Sequence, residues 1–484
     1  FFFVFIYYNN MSALPSEISP MAMIEADNTI DNVLTELRPI NATGVNLFGE
    51  GNNKVVFQIP AYANSFINTK RTFLSFKGRV KKANGSDATD GARFTDNMPI
   101  IERYVLRAGN GLVLSDTQDY HVIERILSNM DSMTYKETMG DFNGDYKASV
   151  ASDASNTILD KVYDEHKVST MNDAFTFQKE LVCGILGKTQ KSYVPIGLYS
   201  ASGGWALQLE FYLNKREIVC RHDKSTTEDV DYELNDFKLM LEIVRFEDEL
   251  MRKFNSAILS GNAVALPYRS FRLHKSTMGT NSSLDLAISE SAHNLDKVYT
   301  AIMPVQKRQT RIDTTAAATS AVQHKLNDSI ALYGGVGEQH RVGDLGNLNA
   351  KKMKVKSYQW RYLNKYYPPH KVETAENDTT MAYLTSLSEA DGLMNNAFIS
   401  RRMSNGERIH EHNFVICQSF KTYKDPRVIN GLNTSATSAP LQLSLELERN
   451  ANSASENLEI VSFVESVHSV RIQQGGATSI IEAV

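Results

Sequence analysis

Four stretches of this 484-residue chain gather side chains of the kinds that hold phosphate, metal or a reactive nucleophile. "GILGKT", residues 184–189, ends like a phosphate-binding loop, in which glycine backbone N–H groups and a lysine cradle a nucleotide. The first glycine of such a loop belongs at position 182, which is Val182, so the segment reads as a turn between strands. "HEHNF", 410–414, begins like the zinc helix H-E-x-x-H, but its second histidine position is Phe414. His410 and His412 would share one face of a strand and need ligands from elsewhere to hold a metal; exposed strand histidines are the simpler reading. "DFNGDY", 141–146, offers Asp141, Asn143 and Asp145 to a hard cation, yet Gly144 comes too early for an EF-hand loop, and a polar turn results. The glycines of "YGGVGEQHRVGDLG", 333–346, lack dinucleotide spacing, and no serine sits in a G-x-S-x-G elbow. No residue emerges as catalytic, cofactor-binding or metal-ligating. The expectation is a protein that is not an enzyme and carries no cofactor.

The elements around these stretches are strands. "PLQLSLELER", 440–449, sets Leu441, Leu443, Leu445 and Leu447 on alternate positions among polar residues, the pattern of a strand with one dry and one wet face. A near-copy, "ALQLEFYL", occurs at 206–213, and "LEIV" occurs at 241–244 and again at 458–461, each time after the LQL strand. The order suggests that one unit is repeated. Earlier strands are expected in "VVFQIP", "RTFLSFKGRVKK", "MPIIERYVLRAG", "FTFQKELVCGILG" and "SYVPIGLY", and a strand turning into a helix near 119–130. Ile30, Val33, Leu34 and Leu37 have helical spacing. The polar stretch 131–172 is a long excursion of the kind that usually carries function or an interaction surface. Around 247–262 the strand pattern lapses into a helix or linker. Strands then resume with "AVALPYRSFRLHKS" and "NLDKVYTAIMPVQKRQTR" and run to "LEIVSFVESVHSVRI". In "KSYQWRYLNKYYPP", Tyr358, Trp360 and Tyr362 alternate as an aromatic ladder, which packs either between sheets or at a subunit interface.

Composition sets outer limits. Hydrophobic residues at 42% and charged residues at 22% describe a globular chain with material for a core. The length exceeds what one core usually supports, so two domains are expected. A formal net charge of −5, with only short basic clusters (Lys351, Lys352, Lys354 and Lys356; Lys307, Arg308 and Arg311; Arg401 and Arg402), disfavours sequence-specific nucleic-acid binding. Cys183, Cys220 and Cys417 are few, odd in number and far apart, which points to a reducing compartment rather than a disulfide scaffold. The N-x-S/T triplets at Asn41, Asn84, Asn281, Asn377 and Asn433 mark surface loops. No apolar run is long enough for a transmembrane segment. The opening "FFFVFIYYNN" lacks the flanks of a signal peptide, and the expectation is that residues 1–10 are not native and that Met11 is the start.

Two all-β halves with closing strands of the x-L-x-L kind predict an all-β fold: two tandem eight-stranded antiparallel jelly rolls with a few short helices in loops. The expected divisions are an N-terminal arm at 1–44, a first jelly roll at 45–250, a second at 251–475 and a C-terminal tail at 476–484.

With that layout, "VVFQIPAYANSFINTKRTFLSFKGRV", "LVCGILGKTQKSYVPIGLYSASGGWALQLEFYL" with "FKLMLEIVRF", and "QWRYLNKYYPPHKV" with "LQLSLELER" make the chain similar, from about 45 to 475, to the double jelly-roll major capsid proteins of tailless icosahedral dsDNA viruses, of virophage and polinton-like virus type. The resemblance is one of pattern and order. It implies a homotrimer with a six-sided outline, a capsomer that tiles the shell of a virion beside neighbouring capsomers, penton and minor capsid proteins. It also implies that 131–172 and about 310–350 are tower or inter-subunit loops, and that the arm and tail reach neighbours. A carbohydrate-binding or hydrolytic β-sandwich is the alternative, with the aromatic ladder as a sugar platform.

Overall fold

The computed structural model describes residues 34–130, 175–246, 264–305, 353–390, 414–422, 430–472 and 478–482, with Arg252 and Ser256. Short breaks fall at 45, 63, 88–91, 95–97, 183, 191–192, 197–205, 223–229, 375–377, 438, 452–453 and 455–456. The excursions at 131–172 and 310–350 therefore lie outside the described residues, as do His410, His412, the 141–146 and 333–346 stretches and the triplet residue Asn377.

The first half contributes β1 (Leu34–Asn41), β2 (Leu47–Phe48), β3 (Lys54–Ile59), β4 (Ser65–Lys82), β5 (Ala92–Phe94), β6 (Ile101–Ala108) and β7 (Val113–Gln118). Helix α1 (Tyr120–Met130) follows, then β8 (Phe175–Glu180), β9 (Leu207–Leu213), the single-turn α2 (Arg216–Val219), β10 (Cys220–His222) and β11 (Val230–Arg245). The second half contributes β12 (Val264–Gly279), β13 (Ser283–Ile288), β14 (Leu295–Pro304), β15 (Met353–Tyr362) and β16 (Lys365–Glu373). After these come α3 (Thr380–Glu389), β17 (Val415–Ser419), β18 (Leu441–Arg449), β19 (Leu458–Ile472) and β20 (Thr478–Glu482).

Sheet order shows the repeat directly. The first half forms sheets β1-β11-β4-β8 and β3-β9-β6-β7, and the second forms β12-β19-β14-β17 and β13-β18-β15-β16. Setting aside the short β2, β5 and β10 and the last strand β20, each half has eight strands in chain order among the described residues. Replacing the first, second and later strands of one half by those of the other turns each sheet into its counterpart. All pairings among the described residues are antiparallel, and α1 and α3 occupy the same place, after the fourth and fifth strands of their halves, β6-β7 and β15-β16.

The LQL copies are a true structural equivalence. Leu207 pairs with Ile59 and Ala108, and Leu209 with Leu106; Leu441 pairs with Ile288, and Leu443 with Leu286 and Trp360. Leu441, Leu443, Leu445 and Leu447 are buried while Gln442, Ser444 and Glu448 are exposed, so the dry and wet faces stand as the alternation demanded. The register makes Tyr104 the counterpart of Tyr358 and Arg107 that of Arg361. Both tyrosines are fully buried beside their helix: Tyr104 stacks on Tyr120 of α1 at 5.7 Å, and the Tyr358 hydroxyl lies 3.3 Å from Ser386 of α3. The LEIV copies are not equivalent. In β11 Glu242 pairs with Asn68, near the start of β4, whereas in β19 Leu458 pairs with Pro304, at the end of β14. The two tetrapeptides sit at opposite ends of matching strands.

Two further expectations are corrected. Residues from Leu34 onward are not helical: β1 is an edge strand on β11, because the long apolar strand β11 needs a partner on that side and that pairing outweighs the local 3.6-residue spacing. "SYVPIGLY" forms no named strand among its described residues, only a bridge from Val194 to Ile67. The described part of the tail is engaged within its own chain, where β20 pairs with β19. Strand prolines fall where the ladder tolerates a missing donor: on the edge strands β1 (Pro39), β12 (Pro267) and β16 (Pro368 and Pro369), and at the last residue of β14 (Pro304), beyond the residues that pair with β17.

Candidate assembly surfaces

Among the described residues no group of three or more His, Cys, Asp or Glu side chains could hold a metal. "GILGKT" follows β8 as turns, with Lys188 N–H bonded to Leu181 O at 2.7 Å. Cys220 and Cys417 are free and buried, and burial pushes both thiols well above their usual range. Lys354 of the basic run is buried against Glu448 at 3.0 Å, so it is a structural cation. Two serine–histidine contacts occur among the described residues: Ser466 Oγ to His468 Nε2 at 2.8 Å, buried within strand β19, and Ser435 Oγ to His293 Nδ1 at 3.1 Å. Ser435 N–H and Oγ–H both point at Asn433 Oδ1, at 3.0 and 2.8 Å, which commits the hydroxyl proton to closing a turn.

The aromatic ladder is core. Tyr358, Trp360 and Tyr362 are buried within the chain, Trp360 edge-on to Phe420 at 6.1 Å and Tyr362 bonded to Thr437 at 2.6 Å. No face of it is left for a sugar to stack on.

What the molecule does build with care is the contact between its halves. Edge strand β7 of the first half lies against edge strand β12 of the second. The Tyr268 hydroxyl donates to Leu114 O at 2.5 Å, Thr117 Oγ1 to Phe271 O at 3.5 Å, and Gln190 Nε2 to Pro267 O at 3.0 Å; Lys275 pairs with Asp119. Tyr268 also stacks on His468 at 5.7 Å, and burial pushes its phenol well up, so it stays a neutral donor. The contact buries Leu114, Ser115 and Thr117 on one strand.

Behind it, sheet β12-β19-β14-β17 is stiffened by a buried ionic cluster that sequence reading passed over. Arg269 pairs with Glu465 and stands 3.6 Å from Asp296; Lys421 stands 3.3 Å from Asp296, and the Tyr299 hydroxyl donates to Glu465 at 3.1 Å. Lys297 donates to Ala390 O at 2.8 Å, and Glu389 of α3 accepts from Ser419 N–H at 3.2 Å and Gln418 at 3.1 Å. The first half repeats the device: Glu124 of α1 meets Lys179 of β8 at 3.0 Å. Burial opposes ionisation of Asp296, but Lys297, Arg269 and Lys421 outweigh it and hold its carboxyl below the usual range. Glu290, buried but beside His274 and Arg272, is lowered in the same way.

Both carboxyls have folded values below their unfolded ones, so their contribution is complete above the unfolded carboxylate range, at about pH 4, and is lost as pH falls through the folded values. Thermal melts should give a Tm that is level from about pH 7 to 5 and drops steeply below about 4. A Tm unchanged down to about pH 3 would contradict this account of the cluster.

No family model and no curated protein matches the chain. Solved structures do. The chain superposes on the PBCV-1 protein VP54 fitted into a reconstruction of the virophage Sputnik with TM-score 0.57 at 12% identity, covering 95% of this chain and 99% of that one. The chain has the double jelly-roll fold. The Sputnik virophage structure at 3.5 Å matches with TM-score 0.52 at 10% identity over 96% of this chain and 92% of that chain. The Faustovirus major capsid protein gives 0.51 at 8% identity over 93% and 92%. The double jelly roll is thus shared with little sequence in common, as expected when alternation and strand order, not particular residues, specify a sandwich.

Proposed function

We propose that this double jelly roll is a major capsid protein. Three copies form a capsomer of pseudo-hexagonal outline, and capsomers, with penton and minor capsid proteins, close the icosahedral shell of a dsDNA virus. The observation that carries this reading is the repeated pair of sheets joined by a built contact between halves, in a chain that superposes nearly end to end on major capsid proteins. A duplicated sandwich lets a threefold object fill a sixfold lattice position. The divisions proposed are an arm that ends before β1, a first jelly roll from Leu34 to about residue 250, a second at 251–475 and a tail at 476–484; the arm expected at 1–44 is shortened because β1 supplies the outer strand of the first roll. The protein acts in the virion and is assembled where thiols stay reduced, consistent with two buried free cysteines. No chemistry is assigned to it: its work is burial at repeated interfaces. The sugar-binding alternative loses its support because the ladder is buried.

Light scattering of the purified protein tests this. A particle of three times 54.2 kDa is expected. A stable monomer that is retained on immobilised glycans would overturn the capsomer and restore the alternative.

A further inference from the structure

The contact between halves has a first-half strand on one side and a second-half strand on the other, and each has a counterpart that is bare. The edge β7 is buried on β12, with Leu114 at 3% and Thr117 at 0% exposure; the counterpart of β7 is β16, exposed or half-exposed at every residue, with Tyr366 at 49%. The counterpart of β12 is β1, whose first four residues are all exposed, with Leu37 at 47%.

The register fixes which residues match. Lys179 meets Glu124 of α1, and Ser419 meets Glu389 of α3, so the strand positions Lys179 and Ser419 correspond. Across each sheet those positions lie in the rows Lys179–Leu74–Leu239–Ile40 and Ser419–Lys297–Glu465–Phe271. Three residues before Ile40 is Leu37, and three before Phe271 is Tyr268, the residue that holds Leu114. On the hairpins, Arg107 pairs with Val113 and Leu106 with Ser115, while Arg361 pairs with Tyr366 and Trp360 with Tyr367. The place of Leu114 is therefore taken by the Tyr366–Tyr367 step.

The surrounding faces agree. On the outer side of the second-half sheet, Val298, Thr300, Ser462, Val464 and Ser466 are all buried inside the single chain. On the matching side of the first-half sheet, Phe73, Ser75, Lys238 and Met240 are half-exposed around Leu37.

We propose that the face of β1 around Leu37 takes the β16 edge at Tyr366–Tyr367 of a second copy of this chain, repeating between copies the contact that β12 and β7 make within one. The inference rests on the capsomer reading and supplies its interface. Such a contact is head-to-tail: each copy gives β16 to one neighbour and β1 to the other, so it ends only by closing into a ring.

The test uses the full chain. The single variants Leu37→Asp and Tyr366→Asp change exposed side chains, so each should keep the wild-type circular dichroism and Tm while the particle falls from three copies to one. Independently, mixing Leu37→Cys protein with Tyr366→Cys protein under oxidation should give a disulfide-linked dimer on a denaturing gel that neither variant forms alone. A wild-type trimer that survives both aspartates and yields no mixed disulfide overturns this interface and leaves the capsomer standing. A monomeric wild type overturns the capsomer itself.

Discussion

Leu443→Asp is expected to abolish the folded second half. Leu443 is fully buried between Leu286 on β13 and Trp360 on β15. Removing the leucine forfeits about 2–3 kcal/mol of burial, and an unpaired carboxylate in its place costs several kcal/mol more. Together these approach the roughly 5–15 kcal/mol that holds a whole domain. The result should be insoluble protein, or soluble protein without near-UV circular dichroism from the second half. Ser444→Asp, one residue along on the wet face, should shift stability by no more than about 0.5 kcal/mol. A Leu443→Asp protein with wild-type Tm would refute the sandwich assignment of β18.

The second large effect lies in the ionic cluster. Asp296→Ala leaves Arg269, Lys421 and Lys297 with less counter-charge in a site closed to water, and the cost should be about 3–5 kcal/mol. The Asp296 carboxylate is held by charge at 3.3 and 3.6 Å rather than by close aimed hydrogen bonds, so the loss is mainly electrostatic. Chemical denaturation should show a lower midpoint with an unchanged slope. Adding Lys421→Met to Asp296→Ala should recover part of the loss, because it removes one of the stranded cations. If the double variant is the sum of two independent losses, the cluster does not act as a unit.

These cases also show what could be read from the residues alone. Leu441, Leu443, Leu445 and Leu447 announced both their strand and its faces, since an antiparallel strand with one wet side leaves a period of two in the chain. The LQL copies pointed truly to a repeated unit. LEIV did not, because four apolar and acidic residues suit any strand buried at one end. Leu34 and Leu37 misled in the same way: their spacing fits a helix, yet the partner that makes them a strand lies some 200 residues away in β11. The cluster around Asp296 left one signal, an Asp-Lys pair at the head of the apolar run "VYTAIM", but nothing local says which distant charges will meet it. Tyr358, Trp360 and Tyr362 were legible as a ladder and not as to what they face, which only the opposing sheet decides. The assembly surface was least legible of all, since β1 and β16 differ from β12 and β7 in what covers them rather than in pattern.

The pairing of β12 with β19, and of β1 with β11, has a consequence for biogenesis. In each half the first strand made must wait for the last, so neither sandwich can close until its final strand has left the ribosome. The first half is complete once Arg245 emerges and can fold while translation continues. The second stays open until residues 458–472 appear, and any message cut short before then yields a finished front half trailing unpaired, sticky strands.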